Sequence, residues 1–198
     1  MNIYLAIPHI TQIIDIAEEN LEKKLDYTFD RERTKTLLSE KKVFLIDTFN
    51  TFVPPAISYD ESITLERLGV IGYLKTKKIR SGFRDFLNYY DQKIIGIHSD
   101  SLSKKEFSKI NDRWHFENVN FFGYEYTIYN KKSGSFFHDS EKDFLSMIKE
   151  LGELKEETLI IGDGLTDIKP AYKQDIDLLL IPTYKQNKSF NFRTLYQS

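Results

Sequence analysis

Five side chains capable of chemistry stand just beyond three short apolar runs. Asp47 ends the run Val43-Phe44-Leu45-Ile46, and Thr51 follows four residues later. Ser99, with Asp100 next to it, comes just after Ile94-Ile95-Gly96-Ile97. The segment Gly162-Asp163-Gly164-Leu165-Thr166-Asp167 comes just after Leu159-Ile160-Ile161. If the runs are neighbouring strands, the carboxylates of Asp47, Asp163 and Asp167 and the hydroxyls of Thr51 and Ser99 gather at one end of a sheet. Such a cluster of carboxylates repels itself unless a divalent cation holds it, and hard oxygen ligands select Mg²⁺.

The elements needed to position these residues are legible. The three runs, with Leu178-Leu179-Leu180-Ile181 as a fourth, are apolar without alternation, which suits strands covered on both faces of a parallel sheet. Helical patterns lie between them. Ser81 is placed to cap a helix burying Phe83, Phe86, Leu87 and Tyr90. Ser103-Lys104-Lys105-Glu106 reads as a capping box, and Ser140 is placed to cap a helix burying Phe144, Leu145 and Ile148 before Gly152 stops it. Alternating strands and helices predict an α/β fold, a Rossmann-like parallel sheet flanked by helices. Ligands in such sheets bind at the carboxyl ends of the strands.

Two stretches lie outside that core pattern. Residues 1–40 read as an N-terminal helical arm, with Ile10, Ile13, Ile14, Ala17, Leu21 and Leu25 at helical spacing and a second helix from about Asp30 to Leu38. The arm is expected to pack on the main domain, residues 41–198, or on a second copy of the chain as a homodimer. Within the domain, residues 52–78 are the stretch available for a small cap, with a helix from Ile63 to Leu74, and residues 118–137 suggest an antiparallel hairpin.

In order and spacing these motifs resemble the haloacid dehalogenase (HAD) superfamily, most of whose members are aspartate-nucleophile phosphatases. The resemblance covers about residues 43–182. VFLIDTFNT looks like the first family motif, IIGIHS like the second and LIIGDGLTD like the fourth, which is the most specific. It implies a HAD-like core and a Mg²⁺-dependent hydrolase acting on a small phosphorylated molecule through an aspartyl-phosphate. Asp47 would be the nucleophile. Asp47, the Phe49 backbone carbonyl and Asp163 would hold the metal, with Asp167 as ligand or support. Thr51 belongs to the first motif, and Ser99 would hydrogen-bond a phosphoryl oxygen. The third motif is a lysine with the same task, and Lys142 is the candidate, although counting back from Gly152 lands nearer His138 or Ser140.

The first motif departs from the family pattern D-x-D-x-T at Phe49. Family phosphatases carry an aspartate there, which protonates the leaving group and later activates water. Phenylalanine does neither, and general acid–base help is typically worth about 10² to 10⁴ in rate. Slow turnover, or restriction to good leaving groups such as acyl or aryl phosphates, is the expectation. A catalytically silent relative that binds a phosphorylated ligand or partner is the alternative, with dehalogenase or phosphonatase chemistry further off.

Composition narrows the classes. The 198 residues carry 28 Lys+Arg against 30 Asp+Glu, so no basic field favours nucleic acid or an anionic membrane. Zero cysteines exclude disulfides, thiolate metal sites and a cysteine nucleophile. No apolar stretch approaches the roughly 20 residues that span a bilayer, and the first residues lack a signal-peptide pattern, so a soluble cytoplasmic protein is expected. His98 precedes Ser99 on its strand and is expected to point away from it, into the core or the opposite face. His138 is a remote substitute acid. Trp114 reads as core, and the basic and aromatic residues of the tail (Lys185, Lys188, Phe190, Phe192, Arg193, Tyr196) give only a weak sign of nucleic-acid contact.

Overall fold

The computed structural model describes residues 3–5, 31–54, 59–129, 140–181 and 190–197. Strands β1 (Ile3–Leu5), β2 (Val43–Asp47), β3 (Ile94–His98), β4 (Val119–Phe122), β7 (Thr158–Gly162) and β8 (Asp177–Leu180) form one six-stranded sheet in the order β1-β8-β7-β2-β3-β4. Every pairing in it is parallel. Strands β5 (Thr127–Tyr129) and β6 (Ser140–Lys142) form a separate antiparallel ribbon. The helices are α1 (Arg31–Glu40), α2 (Tyr59–Thr76), α3 (Phe83–Tyr89), α4 (Lys104–Trp114), α5 (Phe144–Leu151) and α6 (Leu165–Gln174).

The unbroken apolar runs behave as their composition requires. Successive strand residues face opposite sides, and both sides are covered. Phe44, Ile46, Ile95, Ile97, Leu159 and Ile161 join one cluster with Leu38 of α1, Leu74 of α2, Phe83 and Phe86 of α3, and Phe107, Ile110 and Trp114 of α4. Val43, Leu45, Ile160, Leu178 and Leu180 join the other with Phe144, Met147 and Ile148 of α5 and Ile168 and Ala171 of α6. Trp114 is thus core. So are Phe190 and Phe192 of the tail, while Arg193 pairs with Asp85.

Four details differ from the sequence-based expectation. Residues 3–5, inside the segment expected to be helical, form an edge strand on β8; the helix expected around Ile10 to Leu25 lies outside the described residues, and α1 occupies the place of the second one. Val119–Phe122 is a further parallel strand. As an edge strand it exposes Asn120 and only Phe122 is fully buried, so the continuous apolar signature is missing. The hairpin expected over residues 118–137 differs too: β5 pairs with Ser140–Lys142, beyond that range, and residues 130–137 lie outside the described residues. Finally, Ser81 and Ser140 are not caps: Gly82, left-handed at φ 75°, precedes α3, Ser140 lies in β6, and Asp143 caps α5 through Ser146 N. Leu145 is accordingly exposed.

Other local signals are realised. Ser103 and Glu106 form the reciprocal capping box of α4, and Gly152 ends α5 in the left-handed region at φ 72°. In the 52–78 segment, Phe52, Val53, Tyr73 and Leu74 are buried in the main cluster, so both its ends belong to the core packing. Among the described residues no helix is long and apolar enough to cross a membrane.

Candidate active site

The chain leaves β2 outward through β3 and β4, then crosses back to β7 and β8 on the other side. The order therefore reverses between β2 and β7, and the crevice beyond the carboxyl ends of these strands is where an open parallel sheet offers a binding site. Asp47 ends β2 and Asp163 immediately follows β7.

Asp47 is buried, and its Oδ1 accepts a hydrogen bond from Lys142 Nζ at 2.8 Å. The same ammonium donates to Asp167 Oδ1 at 2.7 Å. The second oxygen of Asp167 accepts from Asp163 N at 3.1 Å. Asp167 is fully buried, and its carboxylate lies over Gly162, where a Cβ would come within 2.4 Å of the Asp167 carboxyl carbon. The glycine before Asp163 is required by this close approach. The Asp163 carboxyl feels Asn50 and Asp47 electrostatically. Asp47, Lys142 and Asp167 thus meet through their side chains, and Asp163 joins them through its backbone N–H.

Burial dominates the electrostatics. It pushes the Asp47 carboxyl well above the usual range; Lys142 opposes this, while Asp167, Asp163 and Asp100 add to it. Burial and Asp167 likewise push Asp163 up to about 7, against the pull of Lys142, Asn50 and Asp47. For Lys142 burial works against the charge, but Asp167 and Asp47 outweigh it, and the ammonium is held protonated. Lys142, with Arg80 on the Asp163 side, faces three carboxylates, and the mutual repulsion at Asp47 calls for a proton or a further cation.

The fit to Mg²⁺ can be tested on that arrangement. Asp47 and Asp163 present hard oxygens whose negative charges repel in a buried site, and a divalent cation would offset that repulsion. Asp167 differs, since each of its oxygens already accepts a hydrogen bond. The residues present fit the ion through Asp47 and Asp163. Asp47, His98 and Asp167 also cluster closely enough to ligate an ion, but the ammonium of Lys142 bonds both carboxylates of that cluster.

The turn after β2 is closed by Val53 N donating to Thr48 O at 3.0 Å, with Asn50 left-handed at φ 61°. Thr48 is tied to β3, its N and Oγ1 both donating to His98 O. Phe49 is half-buried with its ring against the main apolar cluster. Thr51 is fully buried, and its hydroxyl has no hydrogen-bond partner among the described residues. Ser99 is buried at the end of β3, its Oγ accepting from Ser101 N at 3.1 Å. That is a turn-stabilising bond, and it leaves the hydroxyl proton available to a ligand.

Two further residues reach the site. His98 is fully buried, its Nδ1 lies 3.4 Å from Asp47 Oδ1 and its ring packs edge-on against Phe144. Burial, aided by Lys142, pushes its pKa well below the ordinary value, so the ring is neutral. It faces the α5 side of the sheet, as a core histidine would. However, the register pairs His98 with Asp47 across β2 and β3, which puts both on the same face of the sheet. Cross-strand register, not sequence adjacency, was the missing signal. Arg80 is also buried, donating Nη2 to Asn50 O at 2.9 Å and attracted by Asp163. Nothing in its sequence surroundings marked it. His138 lies outside the described residues.

No family model matches the chain, and no curated protein does. Among solved structures it is similar to an apo phosphoserine phosphatase, at 14% identity and a TM-score of 0.43, covering 77% of this chain and 96% of that one. It is also similar to a phosphoserine phosphatase carrying a phospho-aspartyl intermediate analogue, at 15% identity and a TM-score of 0.41, covering 71% and 93%. A substrate-bound phosphoserine phosphatase complex aligns at 14% identity and a TM-score of 0.41, covering 71% and 92%.

Proposed function

We propose that the chain is a phosphohydrolase of the HAD type that works through a covalent phosphate on Asp47. The observation that supports this best is the Lys142 ammonium held between Asp47 and Asp167, in a buried site open to a second cation through Asp47 and Asp163. Mg²⁺ would be held by Asp47, Asp163 and the Phe49 carbonyl, and when bound it supplies the charge that lets an anionic nucleophile meet an anionic phosphate. Asp167 acts on Lys142 and on the Asp163 backbone in this reading, not on the metal.

The protein groups divide the remaining work. Asp47 attacks phosphorus and the leaving group departs, which splits one hard displacement into two easier ones. Lys142 and the Ser99 hydroxyl bind phosphoryl oxygens and keep the group in line. Neutral His98 limits the directions in which the Asp47 carboxylate can turn. No described side chain takes the acid role at position 49. Substrates whose leaving group departs without a proton are therefore favoured, and water attack on the phosphoenzyme is slow.

The test is hydrolysis of p-nitrophenyl phosphate, an aryl phosphate with a good leaving group. Turnover that requires Mg²⁺, stops in EDTA and is abolished in Asp47→Asn is the expected result. Equal rates for wild type and Asp47→Asn overturn the mechanism. Binding of a phosphate mimic without turnover of any phosphate ester would instead favour a silent phosphate-binding protein, a reading whose motive is Phe49 itself.

A further inference from the structure

Lys142 reaches the site from outside the main sheet. Among the described residues its strand pairs only with β5, which makes the ribbon the most loosely founded of the elements that bring a charged group to Asp47. Yet the ammonium has to meet two carboxylates at once. Something must fix the backbone from which it extends.

The peptide group joining Lys142 to Asp143 is gripped on both sides. Its N–H donates to Tyr126 O at 2.8 Å. Its carbonyl accepts from the side-chain amide of Gln174 at 2.8 Å. The oxygen of the same amide accepts from Leu145 N at 2.9 Å. Leu145 is in the first turn of α5, where backbone N–H groups lack partners inside the helix. Asp143 satisfies the next one, at Ser146. Gln174 thus uses its donor on the strand that carries Lys142 and its acceptor on the helix that follows.

Gln174 is the last residue of α6, and Asp167 is in the first turn of the same helix. The seven-residue step from one to the other rises about 10 Å. One rigid helix therefore holds Lys142 at both ends, its ammonium through Asp167 and its backbone carbonyl through Gln174. A neighbouring pair, Lys173 with Glu141 at 2.7 Å, joins the same helix to the same strand but is exposed, so it contributes little.

We propose that Gln174 is a positioning residue: its amide clasps the Lys142 backbone and so sets where the Lys142 ammonium stands. The inference rests on the reading of Lys142 as the phosphate-facing lysine, but its first test does not depend on activity. Amine acylation followed by mass spectrometry reads how often Lys142 leaves its carboxylates. The variants are Gln174→Leu, which loses both bonds, and Gln174→Glu, which keeps the acceptor for Leu145 N and loses the donor to Lys142 O. Both are expected to raise Lys142 labelling about tenfold, the weight of one hydrogen bond, with labelling of Lys41 and the thermal midpoint changed far less. In p-nitrophenyl phosphate hydrolysis the same variants lower kcat by a similar factor.

Labelling of Lys142 within twofold of wild type in folded Gln174→Glu overturns the proposal, as does a rise shared equally by Lys41. Should Gln174→Leu not fold, Gln174→Glu alone decides, since it replaces one terminal atom. If labelling responds while the wild type hydrolyses no phosphate ester, the clasp stands and the proposed function falls.

Discussion

Phe49 and Gly162 carry opposite lessons about single side chains. Phe49 stands where the resemblance implies an acid, and its ring rests half-buried on the main apolar cluster. Replacing it therefore changes two things. Phe49→Asp is expected to raise hydrolysis of alkyl phosphates relative to p-nitrophenyl phosphate. It should also cost about 1 kcal/mol of stability for half of an aromatic side chain's burial. Steady-state rates on the two ester types and a urea titration read the two effects separately; unchanged relative rates would mean that the missing acid is not what limits the reaction. Gly162 is confined from the other direction. A methyl there meets the Asp167 carboxyl group, so Gly162→Ala should cost about 1–3 kcal/mol through overpacking. It should also lower turnover by shifting the partner of Lys142. A stable variant with full activity would refute that constraint.

Among the elements, the helices are the parts whose ends can be argued most directly. The box at the start of α4 joins Ser103 and Glu106 in both directions, Ser103 N and Oγ donating to the Glu106 carboxylate and Glu106 N donating back to Ser103 Oγ. These bonds hold the Glu106 carboxyl below its usual range. Ser103→Ala should cost about 1 kcal/mol, as cap losses do, seen as a lower urea midpoint with an unchanged slope. Ser103 immediately follows the Ser99–Leu102 connection, so a larger drop in activity than in stability would mean that the cap also orders Ser99. The strand β6 has no comparable internal support, which is why α6 has to supply it from outside.

At the scale of the molecule, β2, the α3 region and the tail meet in an aromatic cluster. Tyr89 stacks on Tyr196 at 4.5 Å and Tyr90 contacts Phe44 and Phe86. Burial, with smaller contributions from Tyr89 and Tyr196, pushes the Tyr90 phenol up to about 12. The folded state then keeps a proton that the unfolded chain releases near pH 10. Stability should fall as pH rises from about 10 to 12, and Tyr90→Phe should flatten that limb in urea midpoints taken across the range. The legibility of the molecule follows the same division between inside and edge. Strands β2, β3, β7 and β8 were readable because burial on both faces leaves no polar alternation. Edge strands β1 and β4 were not, being short or half-exposed. Asp47, Asp163 and Asp167 announce themselves by following those readable strands, and Lys142 by resemblance. His98 and Arg80 did not, because their roles depend on which residue lies across a strand or under a turn, information that no local spacing contains.

The strand order has a consequence for synthesis. In the finished sheet Val43 lies beside Thr158 on one flank and Ile94 on the other. A ribosome delivers β3 and β4 soon after β2 but β7 only much later, so the nascent chain carries one open edge of β2, with unpaired backbone N–H and C=O groups on a strand rich in apolar side chains, through most of its translation. Such an edge invites pairing with other polypeptides. Emerging chains should accordingly bind a holdase chaperone until Gly162 has cleared the exit tunnel, and release from it should coincide with the first appearance of the Asp47 environment.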